Sequence, residues 1–327
     1  MALPEVLRGR LAVPAIGAPM LIASTPKLVL AQCKAGIVGA FPALNARTGS
    51  QLDDWLAEII EELAAAKDEN PTRPPAPFAV NQIVADRNER RDHDLALCVK
   101  YRVPVVITSV GPPGEIAAAV HGYGGLVFHD VVNVRHAEKA AAAAVDGIVA
   151  VCAGAGGHGG TLNPFAFVKN IRRIFDGTII LAGAITSGAD IMSAQLMGAD
   201  LAYIGTRFLA TPESNVADAY KQLIVNSTVD DIVYTALFSG IRGNFLKQTV
   251  AASGLDPDNL PESPKGAKGT GGHGDHKLWR DIWAAGHGVG AIDDIVPAAV
   301  LIARMEEEYR EALKGIVDLA RDLRKNG

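Results

Sequence analysis

Short apolar segments alternate with longer helix-like segments eight times between residues 12 and 226 of this chain. Apolar runs of about four to eight residues predict buried strands, and a hydrophobic period of about 3.6 residues predicts helices. The runs are apolar nearly throughout, as expected for parallel strands covered on both faces. The predicted strands are 12–19, 36–41, 78–84, 103–110, 125–131, 147–153, 178–185 and 201–208, and the predicted helices are roughly 26–35, 51–68, 89–101, 114–121, 135–144, 164–175, 189–197 and 214–226.

This alternation predicts an α/β fold in which eight βα units close a (β/α)8 barrel of the TIM type. A doubly wound open sheet would give the same alternation and remains the alternative, because periodicity alone does not separate the two. Eight units within about 210 residues favour the barrel. We therefore assign residues 1–227 to the barrel and residues 291–327 to a C-terminal helix that packs back on it.

Residues 228–290 do not continue the alternation of strands and helices, and they are predicted to form a small lid domain inserted before the last helix. The segment begins with a helix-like stretch at 229–238, continues through a polar stretch rich in glycine and proline at 253–275, and ends near Trp279 and Trp283. The two tryptophans have helical spacing, which indicates core packing. An insertion of this length is too long for a structureless loop, so we expect it to cover the carboxyl-end face of the barrel.

Charge and cysteine usage narrow the classes of function. The formal net charge is −5 and the basic residues are scattered, so we expect neither a nucleic-acid partner nor a membrane partner. Cys33, Cys98 and Cys152 lack the spacing of a metal site and indicate buried free thiols in a reducing compartment. No apolar stretch approaches about 18 residues, so we expect a cytoplasmic protein with small-molecule substrates. Whether copies associate into a homo-oligomer is left open.

A glycine-rich segment with one histidine, residues 154–160, follows the sixth predicted strand. Five glycines surround His158, so the backbone can approach a flat ligand closely while one titratable side chain points toward it. The alternative is a flexible surface loop with an incidental histidine. Because the segment lies between an apolar strand and a helix start at Asn163 and Pro164, where α/β proteins place their sites, we predict that it is functional.

Two further glycine positions lie at the ends of the seventh and eighth strands, where such barrels commonly bind phosphate. Gly183 is followed by Ala184, and Gly205 is followed by Thr206. Backbone N–H groups and a threonine hydroxyl at these places can donate hydrogen bonds to phosphate oxygens. Tight packing or an ordinary turn would explain either pair alone, whereas the two pairs together predict a phosphate site.

Several polar residues lie near the ends of other strands. Asn81 interrupts an apolar strand and therefore needs a partner, either local backbone or the edge of a ligand ring. Ser109 lies near the end of the fourth strand, and His129 and Asp130 lie near the end of the fifth, where capping of the next helix is the alternative role for both. His273 and His276 lack a third ligand nearby, so we predict no metal site.

Five segments of the chain together resemble the nitronate monooxygenase family, formerly called 2-nitropropane dioxygenases. The resemblance runs over nearly the whole chain. The wider group also includes FMN-dependent NADH:quinone reductases and enoyl-ACP reductases, so the motifs indicate the cofactor better than the substrate. The segments are residues 17–20, 153–160, 182–185, 203–208 and 279–286.

The resemblance implies a barrel that holds FMN non-covalently, with its phosphate at the last two strand ends and its ring against the loop after the first strand. His158 is similar to the catalytic histidine of the family. His287 stands where these enzymes commonly carry glutamine, and we expect it, with His129, to belong to the substrate pocket. The expected cofactor-binding residues are Ala18, Pro19, Met20, Asn81, Ser109, Gly156, Gly157, Gly183, Ala184, Gly205 and Thr206.

The expected activity is oxidation of alkyl nitronates, such as propionate 3-nitronate, by O2 to a carbonyl compound and nitrite, with His158 as the acid or base. The alternative on the same fold is an FMN-dependent NAD(P)H:quinone reductase or enoyl reductase. Two other classes stay open: a flavin-free isomerase or aldolase acting on phosphorylated sugars, and a barrel that binds a ligand without catalysis.

Overall fold

The computed structural model describes residues 3–263 and 268–325, and within them eight parallel strands close into a barrel. Strands β1 to β6, β8 and β9 form the barrel, and β9 pairs with β1 to close it. This confirms the predicted (β/α)8 fold. In chain order the strands are β1 (Ala15–Gly17), β2 (Val38–Pro42), β3 (Phe78–Ile83), β4 (Val105–Ser109), β5 (Leu126–Val131), β6 (Gly147–Val151), β7 (Gly157–His158), β8 (Thr178–Ala182), β9 (Leu201–Ile204), β10 (Ile232–Thr235), β11 (Gly243–Leu246), β12 (Gly272–His273) and β13 (His276–Lys277).

Several helices begin after a residue whose side chain accepts a hydrogen bond from an N–H group of the first turn. The Thr48 hydroxyl accepts a hydrogen bond from Gln51 N at 3.1 Å, and Ser187 forms a capping box with Asp190. In chain order the helices are α1 (Pro26–Ala35), α2 (Gly49–Glu69), α3 (Arg91–Lys100), α4 (Gly114–His121), α5 (Val134–Ala142), α6 (Pro164–Arg172), α7 (Gly188–Leu196), α8 (Thr206–Leu209), α9 (Asp218–Val225), α10 (Lys247–Ala252) and α11 (Ala298–Lys325). The strand predicted over 201–208 therefore ends early, because α8 begins directly after Gly205.

The barrel strands separate two apolar cores, since successive side chains of a strand point to opposite faces. Val80, Val106 and Val127 belong to the outer core between the sheet and the helices. Ala79, Ile107 and Phe128 fill the barrel interior. The same alternation decides which polar residues near the strand ends face the interior and which face the helices.

The segment between the barrel and the last helix differs from its prediction. The prediction of a helix over 229–238 is wrong. A single 3-10 turn at Val229–Asp231 leads into β10, and β10 pairs antiparallel with β11. β-Branched residues in β10 favour a strand, and Asp231 with Thr228 caps only the short turn. β11 also pairs with β7 and so joins this segment to the glycine-rich loop.

Trp279 and Trp283 do not lie on one helix face, so their helical spacing was misleading. Trp279 has a left-handed backbone conformation, with φ 68°, and packs against Phe245. Trp283 stacks on Tyr220 with ring centroids 4.6 Å apart. Both rings pack on neighbouring elements from a non-helical stretch of chain.

Helix α11 packs only its first turns on the barrel. Leu301, Ile302 and Met305 are buried against the outer core, whereas Leu319 and Leu323 are exposed. Across residues 3–263 and 268–325, no helix has the length and apolar character needed to cross a membrane.

Candidate active site

The loops after β1, β6 and β9 meet at the carboxyl ends of the barrel strands, and we call this end of the barrel the mouth. A Cβ built on Gly205 would lie 3.7 Å from both the Ala18 Cβ and the Met20 Sδ. A Cβ built on Gly156 would lie 3.0 Å from Thr206 Oγ1 and 2.7 Å from the backbone nitrogen of Gly286. The fold thus brings together residues from three of the predicted cofactor-binding segments, and the missing glycine side chains allow this close approach.

The corner formed by the loops after β8 and β9 is suited to an anion. Gly183 has a φ of 133°, which glycine adopts without strain, whereas Ala184 has a φ of 54°, and such strained non-glycine backbone is concentrated at binding sites. The Thr206 hydroxyl oxygen accepts a hydrogen bond from Gly286 N at 2.9 Å. Its own hydrogen is therefore free to donate to a phosphate oxygen, since a hydroxyl can accept and donate at the same time.

A directional hydrogen-bond chain crosses three adjacent strands inside the barrel. Asn81 Nδ2 donates to the Ile107 carbonyl at 3.1 Å and to Ser109 Oγ at 2.7 Å, and Ser109 donates to Asp130 Oδ2 at 2.5 Å. The carbonyl of Ile107 can only accept, so the amide nitrogen of Asn81 must face it. Both amide hydrogens are then used, and Asn81 presents its oxygen, an acceptor, to any ligand above.

Two polar atoms of the barrel interior lack a hydrogen-bond partner within the described residues. These are Asp130 Oδ1 and the Tyr203 hydroxyl, and both atoms are buried. Burial raises the pKa of Asp130 to about 6, against the opposing effect of the hydrogen bond from Ser109. Buried polar groups need partners, so this interior fits the edge of a heteroaromatic ring that carries both N–H and carbonyl groups, as the FMN ring does.

The raised pKa of Asp130 predicts a stability effect in the ligand-free protein. Its folded-state pKa lies above that of an unfolded aspartate, so the stabilising protonated form is lost as pH rises through about 6. We expect Asp130→Asn to increase the free energy of unfolding by about 1–3 kcal/mol at pH 8 and by little at pH 4. Urea denaturation at both pH values measures this. Asp86→Asn, which changes an exposed carboxylate, is the control, and an equal gain at both pH values would contradict the prediction.

His158 lies at the edge of the mouth, on β7. Its ring meets Trp279 edge to face, with centroids 5.6 Å apart, and its Nε2 lies 2.8 Å from Ser239 Oγ. One side of the imidazole is open to solvent, while packing on the other side lowers its pKa, and the charge of Arg87 lowers it further. Both effects favour the neutral form of the imidazole.

The two other histidines predicted for the pocket lie in different places. His287 donates its backbone N–H to the Gly154 carbonyl at 2.9 Å, and its exposed ring lies over that glycine at the mouth. His129 belongs to the outward face of β5, where its Nδ1 lies 2.8 Å from Thr108 Oγ1. Burial lowers the pKa of His129 to about 4. The structure thus places His129 under the helix layer and does not bring it to the mouth.

Three residues of the site region were not among the expected cofactor-binding or pocket residues: Asp130, Tyr203 and Ser239. The period of two along β5 could have identified Asp130, because it shares a face with the large apolar Phe128. Ser239 lies in the loop between β10 and β11, and its closeness to His158 depends on pairing between distant segments. Among the described residues, no three His, Cys, Asp or Glu side chains cluster closely enough to hold a metal ion.

Comparisons with known proteins agree with this geometry. A model of the nitronate monooxygenase family matches residues 57–308. The chain is 27% identical to a nitronate monooxygenase of Paraburkholderia phytofirmans, over 94% of this chain and 95% of that protein. The structure of FabK from Thermotoga maritima superimposes on this chain with a TM-score of 0.77 at 25% sequence identity. The alignment covers 96% of this chain and 97% of the FabK chain.

A nitroalkane oxidase structure from Streptomyces ansochromogenes has a TM-score of 0.76 at 22% identity, which shows a shared fold; the alignment covers 95% of this chain and 100% of that one. The family model spans well over half of the chain, including the glycine-rich loop and both strand ends of the anion corner. The chain therefore belongs to the nitronate monooxygenase family, whose members are typically flavin-dependent oxidoreductases.

Proposed function

We propose that this protein binds FMN at the mouth of the barrel and oxidises alkyl nitronates with O2 to a carbonyl compound and nitrite. One observation carries the proposal: the His158 imidazole stands at the edge of the mouth, on the glycine-rich loop whose Gly156 lies against Thr206 of the anion corner. This arrangement supplies an acid or base group next to a place for a flat, phosphorylated ligand.

The residues present fit FMN. Gly183, Ala184, Gly205 and Thr206 would hold the phosphate, and the Thr206 hydroxyl has a free hydrogen for it. The β1 loop residues Ala18, Pro19 and Met20, with Gly156 and Gly157, would border the ring. Asn81 would meet its polar edge as an acceptor, and Ser109 would support Asn81. When bound, FMN supplies the electron transfer between substrate and O2.

His158 is the residue that accepts a proton from the substrate. With a neutral nitroalkane as substrate, the imidazole takes the proton from the carbon next to the nitro group, and the electron pair of that C–H bond passes to the nitro group. A preformed nitronate has no such proton to lose, and only the protonated ring has a hydrogen on Nδ1 to donate to a nitronate oxygen. Packing against the lid lowers the pKa of His158, which keeps the base form available near neutral pH.

We further propose that residues 228–290 act as the lid of this site. β11 pairs with β7 at His158, and Asn244 donates its side-chain N–H to the Ala155 carbonyl at 2.7 Å. The backbone N–H of Gly286 donates a hydrogen bond to Thr206 Oγ1, which follows β9, and that of His287 donates to the Gly154 carbonyl, which follows β6. These contacts hold the segment over the mouth, where it would exclude water from the reacting atoms.

The likeness to FabK supports the second candidate, an FMN-dependent NAD(P)H:quinone reductase or enoyl reductase. Anaerobic mixing of the flavin-loaded protein with propionate 3-nitronate or with NADH separates the two. We expect the nitronate to change the flavin absorbance rapidly and NADH to change it slowly. Rapid bleaching by NADH with no response to the nitronate would exclude the monooxygenase and favour the reductase. A colourless purified protein that binds no added FMN would exclude both.

A further inference from the structure

Ser239 makes two short contacts through one hydroxyl group. Its Oγ lies 2.8 Å from the Ile241 carbonyl oxygen and 2.8 Å from His158 Nε2. It belongs to the seven-residue loop that joins β10 to β11, and Ile241 N donates to the same oxygen at 3.3 Å. The loop therefore fixes the position of the hydroxyl relative to the imidazole.

Hydrogen counting determines the direction of both contacts. A hydroxyl has one hydrogen, and a carbonyl oxygen can only accept, so the contact with Ile241 uses the hydrogen of Ser239. The contact with His158 is then satisfied only when Nε2 carries a hydrogen and donates it to Ser239 Oγ. A neutral histidine with a hydrogen on Nε2 has none on Nδ1.

We propose that Ser239 is a positioning residue that holds neutral His158 in the Nε2–H tautomer and leaves Nδ1 as the basic nitrogen. The inference deepens the proposed function and rests on it for the role of the base. Trp279 supports the same ring orientation, because its ring stands edge to face against the imidazole. Ser239 touches neither substrate nor cofactor in this scheme, and it acts through His158.

The tautomer has a chemical consequence for nitroalkane deprotonation. The substrate C–H bond breaks, its proton forms a bond with Nδ1, and its electron pair moves onto the nitro group to give the nitronate. The resulting imidazolium still donates from Nε2 to Ser239 Oγ, a hydrogen bond that strengthens when the donor becomes charged. Ser239 thus stabilises the protonated ring and opposes the effects of packing and of Arg87 on the pKa of His158.

The test is 15N NMR of protein labelled at histidine, with the His158 signal assigned from a His158→Gln sample. We expect wild-type His158, above its pKa, to show protonated Nε2 and unprotonated Nδ1. In Ser239→Ala we expect the two tautomers to mix and the pKa of His158 to fall, because the imidazolium loses an acceptor. Ser239→Thr keeps the hydroxyl and should restore the wild-type pattern.

Activity provides the second readout. Ser239→Ala should lower kcat for a neutral nitroalkane about 3- to 10-fold, the range expected for loss of one hydrogen bond, with a smaller effect on a preformed nitronate. Ser193→Ala is the matched control, because Ser193 also donates to a backbone carbonyl but lies exposed on α7.

Four outcomes decide the inference. An Nδ1–H tautomer in the wild type, or an unchanged tautomer and pKa in Ser239→Ala, would overturn it. Equal rate losses in Ser239→Ala and Ser193→Ala would also count against it. The Nε2–H signal together with its loss in Ser239→Ala would support the positioning role even without nitronate turnover, in which case the proposed function alone fails.

Discussion

Replacing His158 by alanine should lower the rate of neutral nitroalkane oxidation by about 10²–10⁴, the usual contribution of a positioned general base. Flavin binding should persist, because the phosphate donors lie on the loops after β8 and β9 and not on β7. The measurement is steady-state kinetics with a nitroalkane and with the nitronate prepared from it, on protein whose flavin content is known from its visible spectrum.

The two substrates distinguish proton removal from other effects of the substitution. A preformed nitronate has already lost its proton, so His158→Ala should reduce its oxidation much less. His136→Ala removes an exposed imidazole from α5 and should leave both rates unchanged. Equal losses with nitroalkane and nitronate would show that His158 binds or orients the substrate and is not the base.

The barrel could be predicted from the sequence because each βα unit is encoded locally. A strand such as β6 is a continuous apolar run, and Pro26 and Pro164 mark helix starts within their own few residues. The lid could not be predicted in this way. β10 and β11 are four residues each, and β11 pairs with a two-residue strand that lies far away in the chain. Such pairing leaves little local pattern.

In the candidate site, too, locally encoded features could be predicted and features that depend on distant parts of the chain could not. Glycine-rich loops at strand ends have a local signature, and the structure places Gly156, Gly205 and Thr206 close together. His129 and Asp130 are neighbours near the end of β5, and strand alternation decides which of them faces the barrel interior. Ser239 has no local signal, because a serine before a glycine in a turn is common and only the β7 to β11 pairing brings it to His158.

The anion corner is tested by Thr206→Val, which keeps the shape of the side chain and removes its hydroxyl. The free hydroxyl hydrogen of Thr206 is expected to donate to the FMN phosphate, and a hydrogen bond to a charged group contributes about 1.5–3 kcal/mol. We therefore expect the Kd for FMN to rise about 10- to 100-fold. Titration of FMN into flavin-free protein, followed by quenching of flavin fluorescence, measures the Kd.

The same hydroxyl also accepts from Gly286 N, so its loss disturbs the lid as well as the phosphate contact. Riboflavin, which has the same ring but no phosphate, separates the two effects. If Thr206 holds the phosphate, Thr206→Val weakens FMN binding strongly and riboflavin binding little, so the affinities for the two ligands converge. Thr206→Ser keeps the hydroxyl and should preserve the preference for FMN. If the variant weakens both ligands equally, Thr206 acts through Gly286 on the closure of the lid, and the phosphate must be held by the backbone at Gly183, Ala184 and Gly205 without the Thr206 hydroxyl.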